Sequence, residues 1–221
     1  MTNANDGSPV VRLADELFLI GHDDFTGKPL AAAGNFDTAL AGAILAELVL
    51  DGRLSVDNGA VVPLDHQPRD EPLTDQVLSE ILRRGSGHSA RLWLAFLRDE
   101  MQIRERVGGR LAGAGWVRRV ESRGLTLRSS VRWPGVNPNL VAAPRVRLAA
   151  SLQQTYRPLD TPTATLAALI RAANLIKVLM LVDRAVPERI TRSRQDLPAA
   201  LQSLLAAVDA GASTTALPAR R

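Results

Sequence analysis

DTALAGAILAELVLDGRLSV, residues 37–56, carries the clearest structural signal in the chain. Leu40, Ile44 and Leu48 recur every fourth residue, which aligns them on one face of an α-helix. Asp37 or Thr38 is the expected cap of that helix, and Asp51-Gly52 stops it after Leu50. Two short β-like runs follow, Arg53–Val56 and Ala60–Pro63. They flank Asp57-Asn58-Gly59, whose Asn-Gly pair predicts a small hairpin.

Before this stretch, Leu13, Leu17 and Ile20 predict a short helix over Val11–Gly21, and His22–Lys28 reads as a turn with Thr26-Gly27 at its tip. After it, Pro72 opens a helix to Arg83, with Leu73, Val77 and Ile81 in register. A further short helix is expected over 89–97 and a basic one over 98–114, ended by Gly115. Trp116–Val120 and Leu125–Trp133 form a second candidate hairpin. Helices over 139–154, 163–182, 184–193 and 197–210 complete the chain, with Pro158, Pro162, Pro187 and Pro198 near their starts. The expected organisation is a disordered leader over 1–10, one domain over 11–211 and a loose tail over 212–221.

Composition agrees with a mainly α fold. The 221 residues are 46% hydrophobic but only 4% aromatic, so the core rests on Leu, Val, Ile and Ala, and Leu and Ala favour helix. There is no cysteine, which excludes disulfides, thiolate metal sites and cysteine nucleophiles and suits a reducing, cytoplasmic compartment. The longest apolar runs are interrupted by Glu47 and Lys177 and fall short of the ~20 residues of a membrane span. Any membrane association is therefore expected to be peripheral.

Catalytic constellations were sought in turn. His22, His66 and His88 all fall in predicted loops, and none has a partner at metal-ligand spacing. Asp23-Asp24 beside His22 is the nearest approach to a ligand cluster, and acidic turns of this kind are common without metals. Gly108-Gly109 lacks the lysine and third glycine of a phosphate loop, and no serine sits in G-x-S-x-G. No metal, cofactor or enzymatic activity is expected; the chain reads as a binding protein.

The net charge of +4 is unevenly spread: −7 over residues 1–97, +7 over 98–147 and +4 over 148–221. In the basic middle, Ile103, Val107 and Leu111 form an apolar stripe flanked by Arg104 on one side and by Arg106 and Arg110 on the other. The hairpin that follows carries Arg118, Arg119, Arg123, Arg128 and Arg132, bracketed by Trp116 and Trp133. A helix followed by a β-wing outlines a winged-helix nucleic-acid binder. Arginines beside interfacial tryptophans equally suit phosphorylated lipid heads. A purely structural reading places the tryptophans in the core and lets the arginines solvate an exposed hairpin.

The order of segments resembles the Golgi phosphoprotein 3 family. LADELFLIGHDDFTGK (13–28), ALAGAILAELVLDGRLSV (39–56), PRDEPLTDQVLSEIL (68–82), IRERVGGRLAGAGWV (103–117) and the 166–182 helix carry the likeness, over residues 11–210. The Arg-rich, Ala-rich composition suits a bacterial-type member. The resemblance implies a compact helical domain with a buried central helix and a projecting β-hairpin, alongside the small hairpin at 53–63. It also implies a non-enzymatic role binding phosphatidylinositol 4-phosphate at a membrane. The family's lipid site uses a tryptophan, an arginine on the Gly-rich helix and two arginines three residues apart. The matching positions here are Ala32, Ala41, Met101 and Arg104, so Arg104 is the one retained. Arg106 and Arg110 are its expected neighbours in an anionic head-group site. Trp116, Arg118, Arg119 and Trp133 are expected to make hairpin contacts with a membrane or a second copy of the chain. Low lysine content and the acidic first half argue against nucleic acid. The expected role is thus a cytoplasmic protein peripheral on the inner membrane face, with a protein–protein adaptor as the remaining alternative.

Overall fold

A computed structural model describes residues 12–123, 129–154, 156–179 and 185–215. The expected leader lies outside the described residues. So does the tail beyond Thr215, although the last helix continues through 212–215 rather than loosening at 212.

Thr38 to Leu48 forms an unbroken run of buried residues. A helix with no polar face over three turns must be surrounded, and the other elements do so. This central helix is α2 (Ala33–Leu50). Packed on it are α1 (Leu13–Ile20), α4 (Ala90–Asp99), α7 (Thr161–Ala172) and α9 (Ala199–Thr215), with α3 (Pro72–Arg84) and α5 (Ile103–Gly113) further round. Helices α6 (Pro138–Gln153) and α8 (Val186–Gln195) complete the outer layer, α6 against α1 and α8 against α7. The protein is mainly helical. Of the described helices, α2 alone is long and apolar enough to cross a bilayer, and the burial of its flanks makes it the core of the fold.

Local chemistry explains most boundaries. Glu71 caps α3 by accepting from the Thr74 N–H at 2.6 Å, with Pro72 just inside the start. Ser89 caps α4, Asn137 caps α6 ahead of Pro138, and Asp160 caps α7 by accepting from the Thr163 N–H at 2.8 Å. The first hairpin follows the expected register, β1 (Leu54–Asp57) on β2 (Ala60–Pro63), with Asn58 and Gly59 both at positive φ. The second pairs β3 (Val120–Arg123) with β4 (Ser129–Arg132); its tip, 124–128 with Arg128, lies outside the described residues, as does the side chain of Arg123.

Several boundaries differ from expectation: Glu121–Arg123, expected between the two strands of the second hairpin, belong to β3. Helix α2 starts at Ala33, one turn before Asp37, and Ala32 caps it without a side-chain bond. The basic 98–114 segment is two helices, because Gln102 adopts the left-handed region at φ 49° and turns the chain between α4 and α5. The 163–182 helix ends at Ala172, where Asn174 at φ 59° breaks it before a 3-10 turn over Ile176–Leu179. Asn and Gln tolerate this region better than branched residues, so neither break announces itself as Gly or Pro would.

Small residues set the approach of α9 to α2. A Cβ on Gly42 would stand 2.5 Å from Val208 Cγ2, closer than any real contact. Gly42→Val is therefore expected to destabilise the fold by roughly 1–3 kcal/mol through overpacking, lowering Tm by several degrees in a thermal melt.

Candidate functional site

The arginines of α5 face three different surroundings, and each is bonded within the chain. Arg104 meets Asp37 across α2 in a forked pair, Nε to Oδ1 at 2.5 Å and Nη2 to Oδ2 at 2.6 Å. Its guanidinium also lies 5.8 Å from the Phe36 ring. Asp37, expected as a helix cap, thus serves as a counter-ion, because the early start of α2 places it within the first turns facing α5. Arg106 donates to the Met101 carbonyl and to Gln76 Oε1, both at 2.7 Å. Arg110 reaches furthest inward: it donates to Asp15 Oδ1 at 2.8 and 3.0 Å and to Glu71 Oε1 at 2.7 Å.

The other positions matching the family's lipid site are apolar: Ala41 and Met101 are buried, and Ala32 is exposed at the start of α2. Arg104, Arg106 and Arg110 come together along one helix, but as members of separate ion pairs and hydrogen bonds rather than as a convergent cradle.

A third carboxyl belongs to the Arg110 network. Glu47, near the end of α2, is only 5% exposed; its Oε1 accepts from the Ala14 N–H at 2.7 Å, while the buried Oε2 has no partner. Burial pushes its pKa up to about 7, against the opposing pull of Arg110. Burial likewise raises Asp15, with Arg110 pulling the other way. Burial also tends to raise Glu71, but hydrogen bonds from the Thr74 N–H and Arg110 outweigh it and hold that carboxyl below its usual range. Sequence reading missed Glu47, which appeared only as an interruption in an apolar run.

The second hairpin has two distinct faces. Its ladder runs from the 116–136 pair to the 123–129 pair, closed by the Val136 N–H donating to the Trp116 carbonyl and the Arg118 N–H to the Pro134 carbonyl, both at 2.9 Å. Side chains alternate across such a ladder. Val117 and Trp133 point inward and are buried. Trp133, expected as a membrane or oligomer contact, is instead a core residue, 2% exposed, edge-on to Phe18 with ring centroids 5.8 Å apart. Its indole fills the space left by Gly108 on α5. Arg119, on the same face, is held over Trp133 at 5.9 Å and paired with Glu105 at 3.2 Å and with Glu121.

The opposite face carries Trp116, Arg118, Val120, Arg132 and Val136. Trp116 is half-buried, while Val120 and Val136 are 42% and 53% exposed. Neither Arg118 nor Arg132 has a side-chain partner among the described residues.

The turn at 22–28 docks onto the base of this hairpin. Asp23 Oδ1 accepts from the Thr26 N–H at 2.7 Å, shaping the loop. The Trp133 N–H donates to the Gly27 carbonyl and the Gly135 N–H to the Asp24 carbonyl, each at 3.0 Å. Gly27 sits at φ 64° with backbone of Trp133 and Pro134 where a Cβ would go, so this position requires glycine. Phe25, on this turn, is 73% exposed. His22 behind the turn is an aromatic core residue: its Nδ1 bonds the Phe18 carbonyl at 2.7 Å and its ring lies against Phe18 and Phe36. Burial lowers its pKa to about 4. Among the described residues, no group of three or more His, Asp or Glu is placed to hold a metal.

The family profile described as Golgi phosphoprotein 3 (GPP34) matches residues 13–216, nearly the whole chain, and the chain belongs to that family. None of the curated proteins matches it.

The buried Glu47 gives a pH test of this network. Its folded pKa of about 7 lies above its ordinary 4.5, so the fold holds a proton that the unfolded chain releases between those values. Stability from this group is therefore lost as pH rises from about 4.5 to about 7. His22 acts oppositely, losing stability as pH falls from 6.5 toward 4, so the two are separated by a variant. Glu47→Gln, compared with the parent by urea unfolding, should be relatively more stable at pH 8 than at pH 5 by up to about 3 kcal/mol. Parallel stability curves would show that Glu47 ionises normally.

Proposed function

We propose that this chain is a peripheral membrane protein that engages anionic phospholipid through the outer face of its β3–β4 hairpin. The observation that carries this reading is the division of the arginines. Arg104, Arg106 and Arg110 are bonded within the fold, whereas among the described residues Arg118 and Arg132 have no side-chain partner and stand beside exposed Val120 and Val136 and the half-buried Trp116. A guanidinium without a carboxylate neighbour keeps its attraction for phosphate oxygens. Valines and a tryptophan between two such groups suit the boundary between head groups and acyl chains.

The family's phosphatidylinositol 4-phosphate pocket does not transfer residue by residue, since Arg104 already has a carboxylate partner and its companions are Ala32, Ala41 and Met101. The proposed interaction is with negative surface charge in general, at a cytoplasmic membrane face. The nucleic-acid reading loses support because the arginines of α5, the would-be recognition helix, are committed to internal partners, and that helix packs against α1, α2 and α4.

Flotation with neutral vesicles, vesicles containing anionic phosphatidylglycerol, and vesicles containing phosphatidylinositol 4-phosphate at matched charge tests this. Binding is expected to both anionic sets equally, and to fall steeply with salt. Each arginine near such a surface contributes about 1 kcal/mol, so Arg118→Ala with Arg132→Ala should weaken binding by roughly 30-fold. Arg104→Ala should leave it unchanged. Failure to float with any anionic vesicle, or indifference to the double substitution, rejects the proposal.

A further inference from the structure

A second feature lies away from the hairpin, where the end of α2 meets the starts of α1 and α7. A cleft of about 450 Å³ opens there, with Leu13, Leu50 and Pro162 as apolar wall and Glu16, Glu47 and Asp51 as its carboxyls. Arg12 is the one cation among its described lining residues.

The charges around this cleft do not balance. Arg110 is taken up by Asp15 and Glu71 on the inner side of Glu47. Glu16 is answered by Arg147 at 2.6 Å. That leaves Arg12 against Glu47 and Asp51 among the described lining residues, an excess of one negative charge when Glu47 is ionised, beside the second carboxylate that Arg110 shares on the inner side. The imbalance sits at the carboxyl end of α2, where the last carbonyls add further negative potential. The opposing start of α7 offers little compensation, because Asp160 already accepts from the Thr163 N–H. Glu47 supplies an observation independent of the acidic cluster: a side chain nearly fully buried, lining the cleft, with an oxygen that no protein group satisfies. Buried polar groups without partners are rare because leaving them unmade is costly.

We propose that this cleft binds a small organic monocation, a primary ammonium or an alkylguanidinium, with Glu47 as its buried counter-charge and Asp51 at the rim. The donors of such a head group match the buried, unpartnered Oε2, and a short alkyl stem would lie along Leu13, Leu50 and Pro162. A divalent metal is a poorer match, since no set of carboxyls converges there. Binding requires ionised Glu47, so it displaces a proton. The charged groups facing Glu47 are Arg12, Asp15 and Glu16 from the α1 region, Asp51 beyond the end of its own helix, and Arg110 with Glu71 from α5 and the cap of α3; α7 presents the uncharged Pro162 and Thr163. With Glu47 half-ionised near pH 7, the affinity for a monocation falls about tenfold from pH 8 to pH 6.

The test is calorimetric titration of the full chain with n-butylammonium, n-butylguanidinium and the neutral n-butanol, at pH 6 and pH 8. Saturable one-to-one binding of at least one cation at pH 8, about tenfold weaker at pH 6 and absent for butanol, is the expected result. Glu47→Gln should remove the pH dependence and weaken binding at pH 8 at least tenfold. Asp51→Asn, a half-exposed position that leaves the buried network intact, should weaken it severalfold. Carbon-13 spectra of the glutamate carboxyls provide a second readout, with the Glu47 titration moving to lower pH as the cation saturates. Equal uptake of butanol, no saturable binding at pH 8, or unchanged affinity in both variants overturns the proposal, and none of these outcomes bears on the hairpin and its lipid.

Discussion

Between Thr38 and Leu48 every side chain of α2 is withdrawn from water, and the rest of the fold is arranged to make that so. An apolar helix can be wrapped at little cost, but this run also contains Thr38 and Glu47. Thr38 satisfies itself by donating to the Gly34 carbonyl one turn back. Glu47 has no such local solution. Its position fixes the placement of Ala14, which donates to it, and brings Arg110 and Asp15 into the same neighbourhood although they lie 95 residues apart in the chain. The charge network between α1, α3 and α5 is thus a consequence of placing one carboxyl in the central helix. Removing a single partner from such a network leaves an uncompensated buried charge, which costs more than the pair contributes.

The hairpin depends on the same core by another route. Trp133 inserts beside Gly108 and Phe18, and Gly27 brings the 22–28 turn against the backbone of Trp133 and Pro134. Those contacts fix which side of the ladder faces in. Once Val117 and Trp133 are core, strand alternation turns Arg118, Val120, Arg132 and Val136 outward, while the half-buried Trp116 still packs in part against the core. Arg119 falls on the inner side and finds Glu105 and Glu121. Two neighbouring arginines therefore have opposite fates: Arg119 is a structural cation and Arg118 remains available.

Much of this architecture was legible because it rests on local periodicity and turn chemistry. The Leu40–Ile44–Leu48 stripe, the Asn58-Gly59 turn and the prolines inside helix starts each encode their element within a few residues. The start of α2 was not legible, because the rule that favours Asp or Thr as a cap points to residues that serve elsewhere, and Ala32 caps the helix with backbone alone. The break at Gln102 escaped notice because it is a left-handed residue without glycine. The candidate site was read less well for a deeper reason. A sequence lists charges, whereas availability depends on pairing across 67 residues for Arg104 with Asp37 and 131 for Arg147 with Glu16.

That distinction bears on how the family's lipid site came to differ here. Of the residues that resemblance assigns to it, Ala41 and Met101 are buried apolar side chains, and Arg104 alone keeps its charge. A lone arginine left half-exposed after losing its companions would be a weak phosphate ligand, since one charge-assisted bond contributes only about 1.5–3 kcal/mol. Facing it with Asp37 turns that remnant into a forked tie between α2 and α5, supported by the Phe36 ring. The same carboxylate that stabilises the tie repels an incoming phosphate. In this chain the arginine that matches the pocket and the arginine of the ion pair are therefore one side chain, already committed to Asp37. A membrane surface, if it is to be held by cations, is left to the outer hairpin, where charge is unpaired and apolar side chains stand beside it.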